Sequence, residues 1–242
     1  MSYSENIRIR TCDCDMFGRW KPSSVLEVMQ ETATAHCERA GLSRAVTDAL
    51  GVAWVVNRCR VEFARLPRLN EFCAVETFAL PEKHLFFPRG HVFRDASGEV
   101  IGGAVALWLL MDLETRRAVS NDTVTARLPS EPRALPVKAP RTVRSTGEEL
   151  AAGEFVPAFT DFDVNGHVNN TRYMDWCWNA LDMAALEGRE LAAFDINYDS
   201  EILPGERIRT ELRRADDGAF AFCGSAGEKK CFGVSVALRD AE

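Results

Sequence analysis

Residues 163 to 167 read Asp-Val-Asn-Gly-His, and Val168-Asn169-Asn170 follow directly. An imidazole can take up and return a proton near neutral pH. A carboxylate can orient it or share that work, and a side-chain amide can hold a water or a carbonyl oxygen. Asp163, Asn165 and His167 therefore suit general acid–base chemistry. The same residue types also have an ordinary use: Asp and Asn cap the orphan N–H groups of a helix, and a loop histidine is commonly just solvated. On the residues alone both readings stand. Asn169, Asn170 and Thr171 are read as the capping part of the segment.

Other chemistries find less support. The eight cysteines include no C-x-x-C pair, and Cys12 and Cys14 have no histidine pair at ligand spacing, so neither a metal site nor a cofactor is expected. The net charge of −7 argues against broad binding to nucleic acid or an anionic membrane. No apolar run reaches the roughly 20 residues that span a bilayer. The first residues lack the apolar stretch of a signal peptide. Reduced thiols and a cytoplasmic address are the expectation.

The elements that must position the polar set come next. Ser24-Val25-Leu26-Glu27 reads as a capping box, and the helix after it runs to Gly41. Strand-like segments follow. In the first, Cys59, Val61 and Phe63 share one face. Asp95-Ala96-Ser97-Gly98 reads as a hairpin turn. Four prolines, Pro129, Pro132, Pro136 and Pro140, mark a linker over residues 126–150. Beyond it the order recurs: a polar loop, a helix over NTRYMDWCWNALDMAAL, then strands with turns at Gly218 and Gly227.

The recurrence can be checked position by position. At an offset of 148, Asp13-Cys14-Asp15 meets Asp161-Phe162-Asp163, Gly18 meets Gly166 and Leu26 meets Met174. Later, Leu66-Pro67 meets Leu203-Pro204 at an offset of 137, which implies a shorter helix or loop in the second copy. Through these offsets Asn165 meets Phe17, His167 meets Arg19 and Glu201 meets Ala64. The second copy thus carries a polar set, Asp163, Asn165, His167 and Glu201, that the first has lost in three of four places. One site per chain, in the second half, is the simplest account. Each half has one long helix and four or five antiparallel strands, and the helix is the available cover for the sheet. The fold class is α+β: two domains, 1–125 and 151–242, each a curved antiparallel sheet wrapped on a central helix.

The segment FTDFDVNGHVNNTRYMDW resembles the signature of the fatty acyl-carrier-protein (acyl-ACP) thioesterases, D-x-N-x-H-V-N-N ahead of the second helix. The resemblance extends over LEVMQETATAHCERAGL, WVVNRCRVEF, the stretch from Arg89 to Met111, and NYDSEILPG. It implies two tandem hot dog domains and hydrolysis of fatty acyl-ACP to free fatty acid, ending chain elongation. It implies that Asp163, Asn165, His167 and Glu201 are catalytic. It also implies a partner, acyl carrier protein bearing its chain on 4'-phosphopantetheine. There are departures. Asp199 and Ser200 stand where the family has two basic residues. Ile202 stands where it has a cysteine, which excludes a cysteine nucleophile there. Cys177 is read as core-facing.

On that resemblance, the helix N-terminus and Asn165 would serve the thioester oxygen and the water, with His167 and Glu201 as candidate general bases. An acyl chain needs apolar walls, for which Val25, Met29, Trp54, Val56, Trp108 and Leu110 of the first half are candidates. An acidic carrier protein needs a local basic face. Arg58, Arg60, Arg65 and Arg68, or the linker's Arg133, Lys138, Arg141 and Arg144, are the candidates for it. Two rivals keep the same residues: an acyl-CoA thioesterase, and a non-catalytic module that binds acyl thioesters. Chain length is not legible, and monomer and homodimer both stay open.

Overall fold

A computed structural model describes residues 2–241 of the chain. It is an α+β structure dominated by antiparallel strands, in two compact units, residues 1–140 and 141–242.

The first unit contains β1 (Ser2–Arg8), α1 (Pro22–Arg39), α2 (Arg44–Ala49), β2 (Val52–Phe63), β3 (Phe72–Ala79), β4 (Phe86–Arg94), β5 (Val100–Asp112), β6 (Ala118–Val119) and α3 (Asp122–Arg127). Its strands are ordered β1-β3-β4-β5-β2, with β6 on β5. The 18-residue α1 contacts β3 and β1, burying Val25, Leu26, Met29, Ala33 and Cys37. That is the i, i+4 stripe of an amphipathic helix. The capping box expected at Ser24 is not formed. The helix begins earlier, with Lys21 as N-cap and Pro22 in the first turn, and Ser23 and Ser24 are buried inside it. Proline's fixed φ and missing N–H suit that first position. The Asp95–Gly98 hairpin turn forms as expected, with Asp95 Oδ1 accepting from the backbone N–H groups of Ser97 and Glu99.

The second unit contains β7 (Glu148–Phe155), α4 (Arg172–Ala180), α5 (Met183–Leu186), β8 (Arg189–Tyr198), β9 (Ile208–Arg214), β10 (Phe220–Ala226) and β11 (Lys229–Asp240). Its order, β7-β9-β10-β11-β8, repeats that of the first unit strand for strand. The single helix expected here is broken. Leu181 leaves the helix at ψ 137°, and the Asp182 carboxylate accepts from the Ala184 N–H to start α5.

The Pro-rich segment is irregular in backbone but is not a loose spacer. Arg133 makes a bidentate pair with Glu76 and lies over the Phe78 ring, and the Lys138 N–H donates to Glu62. Pro136 packs so closely on Gly103 that a Cβ there would come within 2.9 Å. Farther along, the Arg141 N–H and Nε donate to buried Asp195, and the Val143 N–H donates to Asn197 Oδ1 at 2.7 Å.

Candidate active site

The polar loop of the second unit is built on a frame that the first unit reproduces bond for bond. In the second, Asp161 Oδ2 accepts from the Ala158 N–H, the Asn169 N–H donates to the Asp161 carbonyl, and Phe162 bridges Val168. In the first, Asp13 Oδ2 accepts from the Arg10 N–H, the Lys21 N–H donates to the Asp13 carbonyl, and Cys14 bridges Trp20. The reversal itself is a turn closed by Gly166 N–H to the Asp163 carbonyl at 3.0 Å, and by Gly18 N–H to the Asp15 carbonyl at 3.0 Å. Both glycines have positive φ, 79° and 74°, a region where other residues are strained. The 148-residue offset therefore holds in three dimensions.

On this common frame the side chains diverge. In the first unit Asp15 holds the Arg19 guanidinium at 2.9 Å, and Arg19 lies 4.3 Å over the Phe17 ring. The loop is closed on itself by a salt bridge and a cation–π contact. In the second, Asp163 Oδ1 accepts from the Asn165 backbone N–H at 2.8 Å, and Asp163 Oδ2 from its side-chain Nδ2 at 3.3 Å. Asp163 so fixes the Asn165 amide while leaving its carbonyl oxygen available. His167, in the place of Arg19, turns its Nε2 toward Glu201 Oε2, 3.3 Å away. Both side chains are partly open, 29% for His167 and 38% for Glu201. A water at this pair could lose a proton to it.

Glu201 reaches the loop from the end of β8. The Asp199 and Ser200 N–H groups both donate to the Cys231 carbonyl, and the Val168 N–H donates to the Ile202 carbonyl. In the first unit Ala64 and Arg65 donate to the Ile101 carbonyl, and Trp20 donates to the Pro67 carbonyl. These matched bonds pair Glu201 with Leu66, at an offset of 135, not with Ala64 at 137. The asymmetry between the units is thereby greater: Leu66 is buried core while Glu201 is an accessible acid. Lys229 clamps the turn by donating to the Glu201 carbonyl at 3.0 Å and to Glu206 at 2.7 Å.

A second tie was not legible in the sequence. The Tyr198 hydroxyl donates to the Asn170 carbonyl at 3.0 Å, pinning the end of β8 to the entry of α4. It thereby couples the segment bearing Glu201 to the loop bearing His167. The capping expected of Asn169, Asn170 and Thr171 is not formed on the helix. Thr171 is the N-cap but makes no side-chain cap bond, and Asn170 Oδ1 has no partner. Asn169 Oδ1 instead accepts from the Thr171 N–H and hydroxyl ahead of the first turn. Cys177 is fully buried, as expected, and burial raises its thiol pKa. Ile202 is likewise buried. Among the described residues, no group of three or more His, Cys, Asp or Glu side chains could hold a metal ion. Among the described residues, no helix is long and apolar enough to cross a membrane.

The proposed acyl-chain walls lie in the first unit. Register places Trp54 opposite Leu110 and Val56 opposite Trp108, so all four share one face of β2 and β5. Val25, Met29 and Leu110 are buried, and Leu110 packs in a core cluster with Cys37, Leu42 and Val52. Trp54, Val56 and Trp108 are half-buried, and both indole Nε1 groups lack an acceptor. Next along β4, Arg89 is buried beside His36 Nδ1 (2.9 Å), Thr77 and the Cys37 thiol. Burial, reinforced by Arg89, lowers the His36 pKa to about 4 and that of His91 to about 3.

The basic face expected on Arg58, Arg60, Arg65 and Arg68 does not form as one. Arg60 is buried and paired with Glu62 at 2.6 Å, and Arg65 is neutralised by Glu71 and Asp95. Arg58 and Arg68 are half-buried. In the linker, Arg133 and Arg141 are spent on Glu76 and Asp195.

Residues 1–126 match the family profile of the acyl-ACP thioesterase N-terminal domain, and residues 145–232 that of the C-terminal domain. The chain is 27% identical over 219 residues to oleoyl-acyl carrier protein thioesterase 1, chloroplastic, of Arabidopsis thaliana, covering 83% of this chain and 60% of that protein. It is 28% identical over 215 residues to a palmitoyl-acyl carrier protein thioesterase, chloroplastic, of Gossypium hirsutum, covering 82% and 52%. It thus spans between half and three fifths of the length of these curated relatives. The fold is shared with an acyl-ACP thioesterase from Bacteroides thetaiotaomicron, at a TM-score of 0.88 and 21% identity over 98% of both chains. It is shared equally with a 12:0-ACP thioesterase from Umbellularia californica, at 0.86 and 20% over 99% and 98%. With both family domains matched in order along its length, the chain belongs to the acyl-ACP thioesterase family.

Proposed function

We propose that the protein hydrolyses the thioester of fatty acyl-[acyl-carrier-protein], releasing free fatty acid and ending chain elongation. Each unit is read as a hot dog domain, the second catalytic and the first holding the acyl chain. The observation that carries this is the approach of His167 to Glu201 at 3.3 Å beside an Asn165 amide fixed by Asp163.

The chemistry follows from those groups. Water adds to the thioester carbonyl carbon, and its proton passes to the His167–Glu201 pair. The carbonyl oxygen turns negative and requires donors. The tetrahedral intermediate collapses, the C–S bond breaks, and the proton returns to the departing thiolate. The products are a carboxylic acid and the free thiol of the pantetheine arm. We take the compartment to be the cytoplasm, where exposed Cys12 and half-buried Cys14 would stay reduced.

The test is thiol release from a series of acyl-ACP substrates, with the matching acyl-CoA thioesters alongside. Hydrolysis of acyl-ACP that is lost in Glu201→Ala is the expected result. Faster turnover of the coenzyme A series would make it an acyl-CoA thioesterase. Binding of both without hydrolysis would make it a non-catalytic acyl-thioester module.

A further inference from the structure

Two tyrosines lie ring to ring beside the site, and only one has a use. Tyr173 and Tyr198 are 5.5 Å apart at their centroids, in edge contact. The Tyr198 hydroxyl is spent on the Asn170 carbonyl. Among the described residues, nothing accepts a hydrogen bond from the Tyr173 hydroxyl. Yet Tyr173 is buried, 4% exposed, and its ring is gripped by Trp176 (5.2 Å) and Phe232 (4.8 Å) as well as Tyr198. The ring is enclosed, but the hydroxyl oxygen is not among the fully buried polar atoms that lack a partner, so it keeps access to solvent. Phenylalanine would fill the space of the ring and leave that accessible point without a donor.

Position gives the hydroxyl a purpose. Tyr173 is in the first turn of α4, where side chains lean back toward the helix N-terminus. That direction leads back toward the turn before α4, the segment from which Asn165 and His167 come. Its ring touches Tyr198, three residues before Glu201. Burial raises its pKa, and the negative forms of Cys231, Asp163, Glu201 and Glu206 raise it further. The phenol accordingly stays protonated, a permanent donor among acids. The duplication adds an independent observation. At the 148-residue offset the counterpart of Tyr173 is Val25, fully buried and with nothing to donate. Tyr173 thus joins Asn165, His167 and Glu201 as a polar residue present only in the second unit.

We infer that the Tyr173 hydroxyl is a further catalytic group, donating a hydrogen bond to the thioester carbonyl oxygen as that oxygen turns negative. The inference rests on the hydrolase reading above. The donor would strengthen as charge develops, which places its effect on kcat rather than on KM.

The experiment uses the full chain. Tyr173→Phe should lower kcat on acyl-ACP at least about 30-fold, within the range typical of a lost oxyanion donor. KM should stay within about twofold, and the circular dichroism spectrum should be unchanged. Tyr198→Phe serves as the comparison, because it removes a structural bond from the same ring cluster. A second readout is spectroscopic: the stretching frequency of a 13C-labelled carbonyl in an acyl-pantetheine analogue with CH2 in place of sulfur. The bound carbonyl should shift to higher frequency in Tyr173→Phe. It should shift to lower frequency when 3,5-difluorotyrosine, of nearly the same shape and a stronger donor, replaces Tyr173. A wild-type kcat in Tyr173→Phe, or a carbonyl frequency that neither replacement moves, overturns the inference. If either occurs while Glu201-dependent hydrolysis persists, the hydrolase reading survives. If the unaltered protein hydrolyses no acyl thioester, that reading fails first.

Discussion

His167 Nε2 stands 3.3 Å from Glu201 Oε2, although the two residues reach that point from opposite ends of the second unit's helix and sheet. His167 comes from the turn before α4, and Glu201 from the turn after β8. Two groups that share one proton act as a unit, and groups that act as a unit lose their effect together. Glu201→Gln and His167→Ala should each reduce kcat by about 10²–10⁴, the span of general acid–base catalysis. The double variant should be no slower than the worse single one. Stopped assays of all four proteins against one acyl-ACP measure this. Strictly multiplicative losses would mean that the two residues serve separate steps.

The loop was legible because it is local. Asp161 to Val168 repeats Asp13 to Trp20 without insertion, so the offset of 148 survives from sequence to hydrogen bonds. The structural counterpart of Glu201, Leu66, lies two residues from the position that the Leu-Pro pairs imply, for a physical reason. A shift of two keeps every side chain on its own face of a strand, so periodicity cannot detect it. The Leu-Pro pairs at 66 and 203 then attracted the wrong match. Arg58 and Arg60 alternate outward from Cys59 and Val61, which suggests a solvent-facing basic row. That side of the strand is instead occupied by the Pro-rich segment, through Lys138 N–H to Glu62 and Glu62 to Arg60. Contacts such as Arg133 with Glu76, 57 residues apart, have no local signature.

The first unit's buried histidines predict an acid-labile fold. His36 accepts from Arg89 and His91 contacts the Met29 carbonyl, both within the core. Their folded pKa values, about 4 and about 3, lie below the ordinary value of 6.5. The unfolded chain therefore binds more protons than the native one once pH drops below 6.5. Stability is full above that value and is lost as pH falls toward about 4 for His36 and about 3 for His91. Each histidine should contribute a slope of up to about 1.4 kcal/mol per pH unit within its window. Urea unfolding at several pH values between about 4.5 and 6 measures the slope. His36→Gln keeps an acceptor for Arg89 but cannot titrate, so its slope should be shallower by about one proton. Parallel slopes for the two proteins would exclude His36 as the source.

One glycine sets the position of a ring that supports Tyr173. Gly224 on β10 lies directly against the Phe232 ring of β11, so close that an added Cβ would overlap the ring carbons. Phe232 is fully buried and touches Tyr173 at 4.8 Å and Phe222 at 5.6 Å. Gly224→Ala must displace the Phe232 ring, which packs against Tyr173, Trp176 and Phe222. Overpacking of this kind costs about 1–3 kcal/mol, and thermal melting should show it. Turnover should fall as well, because the displaced ring moves the Tyr173 hydroxyl relative to the His167–Glu201 pair. Phe232→Leu supplies the control by making room for the new methyl. In that background Gly224→Ala should cost markedly less stability than in the parent. An equal cost in both backgrounds would show that the methyl meets something other than the ring, and that Phe232 does not transmit strain to the site.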